Sequence, residues 1–168
     1  YQAGYTQTTN ATYQNTFVGY QAGKLATGAG HTAIGHLASS TVASSNWSTA
    51  VGYAALKLNT AEASTAVGSS SLENNSTGAN NTGVGYAALY STTTASITGT
   101  KLTGNYNTAV GYSSGLKFQG DCVENTAIGA RALISNTTGS YNTAVGYVSL
   151  ANNITADYNT ALGYYSAV

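Results

Sequence analysis

The chain is poor in charge. Lys and Arg number five and Asp and Glu five, so the net charge is zero and charged residues make up 6% of 168 positions. An average soluble protein carries ~25%. This scarcity excludes the basic patch that a nucleic-acid surface needs, and it excludes a highly charged disordered segment. No apolar run approaches the ~20 residues of a membrane-spanning helix, so no membrane insertion of this segment is expected. No secretory signal is present. Cys122 is the only cysteine, so no disulfide can form within the chain. It reads as a small apolar group tolerated at a turn, with a contact between chains of an oligomer as the alternative. His31 and His36 are the only histidines, too few for the three or four converging ligands of a metal centre. Glu62, Glu73 and Asp157 are scattered, without the paired carboxylates of a hydrolase. No catalytic residue, metal ligand or cofactor site emerges; no cofactor is expected, and the chain does not read as an enzyme.

What is present is repetition. Nine copies of one unit are centred on Gly19, Gly35, Gly52, Gly68, Gly85, Gly111, Gly129, Gly146 and Gly163. A truncated tenth opens the chain, where Tyr1-Gln2-Ala3-Gly4 repeats Tyr20-Gln21-Ala22-Gly23. Successive central glycines lie 16, 17, 16, 17, 26, 18, 17 and 17 residues apart. So short and steady a period means a stack of coils. Three places before each central glycine stands Thr, from Thr16 to Thr160, and one place before it a branched apolar residue, from Val18 to Leu162. The residue between is small, usually Ala, with Phe17 and Gly83 as exceptions. This is the period-two pattern of a strand built from good strand formers. Parity alone leaves open whether the Thr/Val face or the Ala face points inward.

Tyr follows the glycine in six copies and Leu stands four places after it in five, which predicts a second short strand there. Gly28, Gly78, Gly104 and Gly139 stand seven places before a central glycine and read as turn residues that adopt positive φ. His31 replaces the Asn of the repeat and His36 its Tyr. The sequence therefore predicts an all-β fold, a parallel β-roll or β-solenoid of about ten coils of 16–17 residues. Neighbouring coils ~4.8 Å apart would form a rod roughly 48 Å long. Like residues would fall into ladders: Thr on Thr, Val on Val, Tyr on Tyr, and Asn on Asn at Asn107, Asn125, Asn142 and Asn159.

The whole chain, residues 1–168, reads as one repeat domain, and its start inside a repeat reads as an internal fragment of a longer fibre. One irregularity breaks the period. Between Gly85 and Gly111 about nine extra residues are inserted within Tyr90–Thr103, a Thr/Ser-rich loop. Insertions in repeat proteins leave the stack as surface loops and often form a binding face. Tyr90, Thr92, Thr94, Thr98 and Lys101 are the resulting receptor-contact candidates. Seven Asn-x-Ser/Thr matches, at Asn10, Asn46, Asn74, Asn75, Asn80, Asn136 and Asn153, are expected by chance in so Asn- and Thr-rich a chain.

The unit Asn142-Thr143-Ala144-Val145-Gly146-Tyr147, closed by Leu150, resembles the head repeats of trimeric autotransporter adhesins. It is still more similar to related repeats in phage tail fibres and in long surface proteins that end in a tail-fibre chaperone domain. The adhesin pattern Asn-Ser-Val-Ala-Ile-Gly is matched at Thr143-Ala144-Val145-Gly146, with Asn142 one place closer. The period is longer here and Tyr more abundant. The resemblance implies a left-handed roll, three chains about a common axis, and an extracellular location, on a virion tail fibre or a bacterial surface. It implies adhesion or receptor binding. A homotrimer also follows from burial: a thin, weakly charged roll exposes apolar surface whose removal from water is worth ~25 cal/mol per Å².

The leading functional expectation is therefore a structural and adhesive segment of an extracellular fibre, mostly spacer, with glycan or receptor contact. Two alternatives stand beside it. One is an ice-binding β-solenoid, which requires the Thr row to face solvent. The other is a self-assembling extracellular filament joined through unpaired terminal strands.

Overall fold

The computed structural model describes residues 2–5, 14–41, 46–91 and 101–168. Nine strands of three residues recur along it: β1 (Thr16–Val18), β2 (Thr32–Ile34), β3 (Thr49–Val51), β4 (Thr65–Val67), β5 (Thr82–Val84), β6 (Thr108–Val110), β7 (Thr126–Ile128), β8 (Thr143–Val145) and β9 (Thr160–Leu162). They form one sheet, all parallel, in sequence order. Thr pairs with Thr throughout, and Thr108 lies directly against Thr126. The fold is a β-solenoid of about eight turns, with no helix among the described residues. A piece of the truncated tenth copy also lies in register: the Gly4 amide donates to the Ala22 carbonyl at 2.9 Å, as the Gly23 amide does to Ala38.

The central glycine ends each strand. Gly52 has φ +135°, and a Cβ added there would meet the Gly68 carbonyl oxygen of the next coil at 2.5 Å. Each strand thus stops at three residues because the next one must be glycine, both for its backbone conformation and for the coil above it.

The segment after this glycine is turn, which corrects the expected second strand. Residues two places on, such as Ala54, Ser70 and Val148, have φ near +55°, and so do those four places on, such as Leu56, Leu72 and Leu133. A backbone whose φ changes sign at alternate residues curls and is not extended strand, although its amides still bond to neighbouring coils, as the Ala54 amide does to the His36 carbonyl at 2.9 Å. Leu supplies no conformational ease at these sites. It is buried there, and its apolar contacts offset the cost of a left-handed conformation, ~1–2 kcal/mol per residue.

A second correction concerns the glycines seven places before each centre. Gly28, Gly78, Gly104 and Gly139 do not have positive φ; that conformation falls two residues later, on Gly30, Asn80, Tyr106 and Tyr141. Gly78 is small for another reason. A Cβ there would lie 2.7 Å from Asn81 Nδ2 and 2.8 Å from Asn75 Oδ1. It sits in the fork of two asparagines.

Those asparagines form the polar half of the interior. Asn81, Asn107, Asn125 and Asn142 are buried in one ladder. The Oδ1 of Asn125 accepts the backbone N–H of Asn142 at 3.0 Å, and its Nδ2 donates to Asn107 Oδ1 at 3.0 Å and to the Gly139 carbonyl at 2.9 Å. A second ladder runs alongside, through Asn59, Asn75, Asn136 and Asn153. Asn136 also donates to the Gly139 carbonyl, at 2.8 Å, so one small corner residue is gripped by both columns. His31 takes a rung of the first ladder, its amide donating to Asn15 Oδ1 at 2.7 Å.

The apolar half is thin. It consists of the mid-strand Ala (Ala33, Ala50, Ala66, Ala109, Ala127, Ala144), small residues facing it, and the Leu column of Leu56, Leu72, Leu89 and Leu133. Ala therefore faces in and Thr and Val face out. After the insertion the stack resumes at Leu102, which is buried and bridges Asn75 and Gly120 on the adjacent coils.

Replacing Asn125 by Ala orphans the buried Asn142 amide and leaves a void. Loss of about 2–3 kcal/mol of unfolding free energy is expected in urea titration, against under ~0.5 kcal/mol for exposed Asn152→Ala.

Candidate functional site: an exposed ring column and its groove

Outward columns carry whatever chemistry the rod offers, because the inward ones are committed to packing. One column, immediately after the central glycine, is aromatic and exposed. Tyr20 stacks on His36 with ring centroids 5.1 Å apart, and His36 on Tyr53 at 5.3 Å. Tyr86 stacks on Tyr112 at 5.4 Å, and Tyr147 on Tyr164 at 5.4 Å. These separations lie within the favourable range for offset-stacked rings, and they follow from the coil spacing. A second exposed pair, Tyr141 on Tyr158 at 4.9 Å, lies five places before the central glycines.

Beside the first column an open groove of about 360 Å³ is lined by Ser70, Tyr86, Ala87, Tyr90, Tyr112, Ser113 and Leu116. Consecutive coils supply it: Ser70 from the fourth copy, Tyr86, Ala87 and Tyr90 from the fifth, Tyr112, Ser113 and Leu116 from the sixth. The backbone holds them in register, with the Ser113 amide donating to the Tyr86 carbonyl at 2.9 Å and the Ala87 amide to the Ser69 carbonyl at 3.0 Å. Tyr rings and Ser hydroxyls together suit a ligand with apolar C–H faces and hydroxyl rims.

Of the residues singled out from the sequence, Tyr90 lines this groove. Lys101 does not; it is exposed on the returning coil, where its carbonyl accepts the Gly120 amide at 3.1 Å. Thr92, Thr94 and Thr98 lie outside the described residues. Tyr86 and Tyr112 were legible only as repeat residues. Their place beside Tyr90 depends on the turn geometry between coils, which the sequence did not reveal.

The remaining chemistry is sparse. Lys57 and Glu73, on adjacent coils, pair at 3.5 Å, a half-buried contact. Among the described residues no three His, Cys, Asp or Glu side chains group as metal ligands, and no helix is long and apolar enough to cross a membrane. Asn75 and Asn136, two of the Asn-x-Ser/Thr matches, are buried ladder members. Comparison with protein-family models, with curated proteins and with solved structures finds no match to this chain.

Cys122 occupies a corner position, buried, with its carbonyl accepting from Asn107 Nδ2 at 2.8 Å. Burial pushes its thiol from 9.0 up to about 12. Only the thiolate is a strong nucleophile. Native protein at pH 8 should therefore leave Cys122 unmodified by a disulfide-exchange reagent, and urea-unfolded protein should react fully. Because the folded pKa is the higher one, the thiol's contribution to stability is complete below pH 9.0 and is lost as pH rises towards about 12. Cys122→Ala should flatten that alkaline decline.

Proposed function

We propose that this chain is a structural and adhesive segment of an extracellular fibre, on a phage tail or a bacterial surface. It acts mostly as a spacer and engages a cell-surface glycan through the groove lined by Tyr86, Tyr90 and Tyr112. The observation that carries this reading is the groove itself, where three tyrosines and two serines from consecutive coils meet at the root of the one insertion in the repeat. Sugars present C–H faces to aromatic rings and hydroxyls to Ser, and a neutral site suits a neutral ligand. The resemblance of the repeat to fibre and adhesin repeats supports the same conclusion.

A homotrimer is part of the proposal. The outward branched residues form a continuous apolar stripe on the sheet, with Ile128 40% exposed even mid-stack. Side-by-side packing of this stripe would remove it from water. A second reading, ice binding, draws on the same face: the strand Thr side chains point outward in strict register. The two readings exclude each other, because a trimer packed through this face would cover the Thr row.

On an array of immobilised neutral oligosaccharides, wild-type protein should bind, and Tyr90→Ala and Tyr112→Ala should each weaken binding about 3- to 10-fold. Deletion of residues 92–100 tests the loop separately from the groove. Wild-type protein that binds no glycan on the array would sink the adhesive reading. Analytical ultracentrifugation should give the trimer mass without thermal hysteresis in ice-growth assays; a monomer with hysteresis would favour the ice-binding alternative.

A further inference from the structure

The exposed ring column is interrupted twice. Read along successive coils, the residue after the central glycine is Tyr20, His36, Tyr53, Ser69, Tyr86, Tyr112, Ala130, Tyr147 and Tyr164. Where rings occupy adjacent rungs between Tyr20 and Tyr53, at Tyr86–Tyr112 and at Tyr147–Tyr164, they stack with centroids 5.1–5.4 Å apart and planes within 15° of parallel. At Ser69 and at Ala130 one ring is missing.

The backbone does not close up to fill either break. The Ser70 amide donates to the Tyr53 carbonyl at 2.8 Å and the Ala87 amide to the Ser69 carbonyl at 3.0 Å. Likewise the Arg131 amide donates to the Tyr112 carbonyl at 2.9 Å and the Val148 amide to the Ala130 carbonyl at 3.0 Å. Each break therefore keeps its full rung. The rings on either side are two rungs apart, roughly 10 Å from centre to centre, and the flanking Tyr53 and Tyr86 are 54% and 55% exposed.

The width selects the occupant. Subtracting half the thickness of each ring, ~1.7 Å, leaves roughly 6 Å. A flat aromatic ring, ~3.4 Å thick, touches only one wall at a time. A puckered saturated ring with axial hydrogens spans the gap and touches both. We propose that each break is a slot for a single pyranose ring, held between Tyr53 and Tyr86 over Ser69, and between Tyr112 and Tyr147 over Ala130. The proposal rests on the glycan reading above and specifies where sugar rings insert. The Ser69 slot adjoins the groove, since Tyr86, one wall of the slot, and Ser70, next in the chain after Ser69, both line the groove. It thus gives the groove a terminal anchor point that its open shape lacks.

Refilling the missing rungs tests the idea. Ser69→Tyr and Ala130→Tyr complete the column, so folding and Tm should be preserved or raised while the slots are blocked. On an array of immobilised β-linked glucose, N-acetylglucosamine and galactose oligomers, each single variant should lose part of the binding and the double variant about 10-fold or more. Tyr53→Ala removes one wall of the first slot without touching the groove lining; it should weaken binding about 3- to 10-fold and provides the test if the filled variants misfold. Undiminished binding by the double variant overturns both slots, and undiminished binding by Tyr53→Ala overturns the Ser69 slot, while leaving the glycan reading intact. Loss confined to one single variant overturns the other slot. Absence of binding by the wild type overturns both the slots and the reading beneath them.

Discussion

The interior of this rod depends on an asparagine side chain that serves two coils at once. Asn125 accepts from the Asn142 amide and donates both to Asn107 and to the Gly139 carbonyl. A coil of 16–17 residues has too little apolar side-chain volume to close its own corner. A carboxamide supplies a donor and an acceptor in one plane, so it can bind the main chain where no strand continues. Buried backbone groups that leave the sheet at the corner would otherwise lack partners, a cost of ~1–3 kcal/mol each. With two such columns meeting at the corner, that backbone is satisfied coil after coil.

Everything inward follows from that lock. The corner residue must be small, which accounts for Gly78, Gly139, Ala61, Cys122 and Ala156 at equivalent places. The mid-strand residue is small in eight of the nine strands, Phe17 of the first strand being the exception, because only a thin layer separates the sheet from the Leu column. The outward columns escape these constraints. Tyr, His, Ser and Ala alternate freely after the central glycine without disturbing the register. Surface chemistry can therefore vary along the rod while its backbone stays constant, and the Tyr86–Tyr90–Tyr112 groove is one local outcome of that freedom.

How much of this could be read from the residues alone depended on whether identity or geometry carried the signal. The nine Thr-x-branched-Gly units gave strand, parallel order and register, because identical residues in a stack must pair with themselves. The Asn107–Asn159 ladder was legible for the same reason. The second ladder was not, because Phe118 takes its rung after the insertion and only four asparagines, Asn59, Asn75, Asn136 and Asn153, mark it. The turn after the central glycine reads as strand because Leu gives no sign of a left-handed backbone; the positive φ belongs to the coil's path, since Gly23, Ser39, Gly115 and the exposed Ala167 share it at the same place. The glycines before each centre were misread in the opposite sense, as conformational when they are spatial. The inward face stayed undecided until Ala, the residue between Thr and Val, was found against the Leu column. Of the candidate contacts, Tyr90 reached a groove through its neighbours on adjacent coils, which no reading of a single repeat could foresee.

The asparagine ladder also has a direction. Asn142 Oδ1 meets the amide of Asn159, and Asn142 Nδ2 reaches forward to the Ala156 carbonyl. Each finished coil thus displays, on its later side, both an acceptor and a donor prepared for residues not yet in place. A ribosome delivers residues in that same order. The nascent chain can zip onto its own most recent turn as it emerges, and an unfinished rod always ends in a template for the next turn.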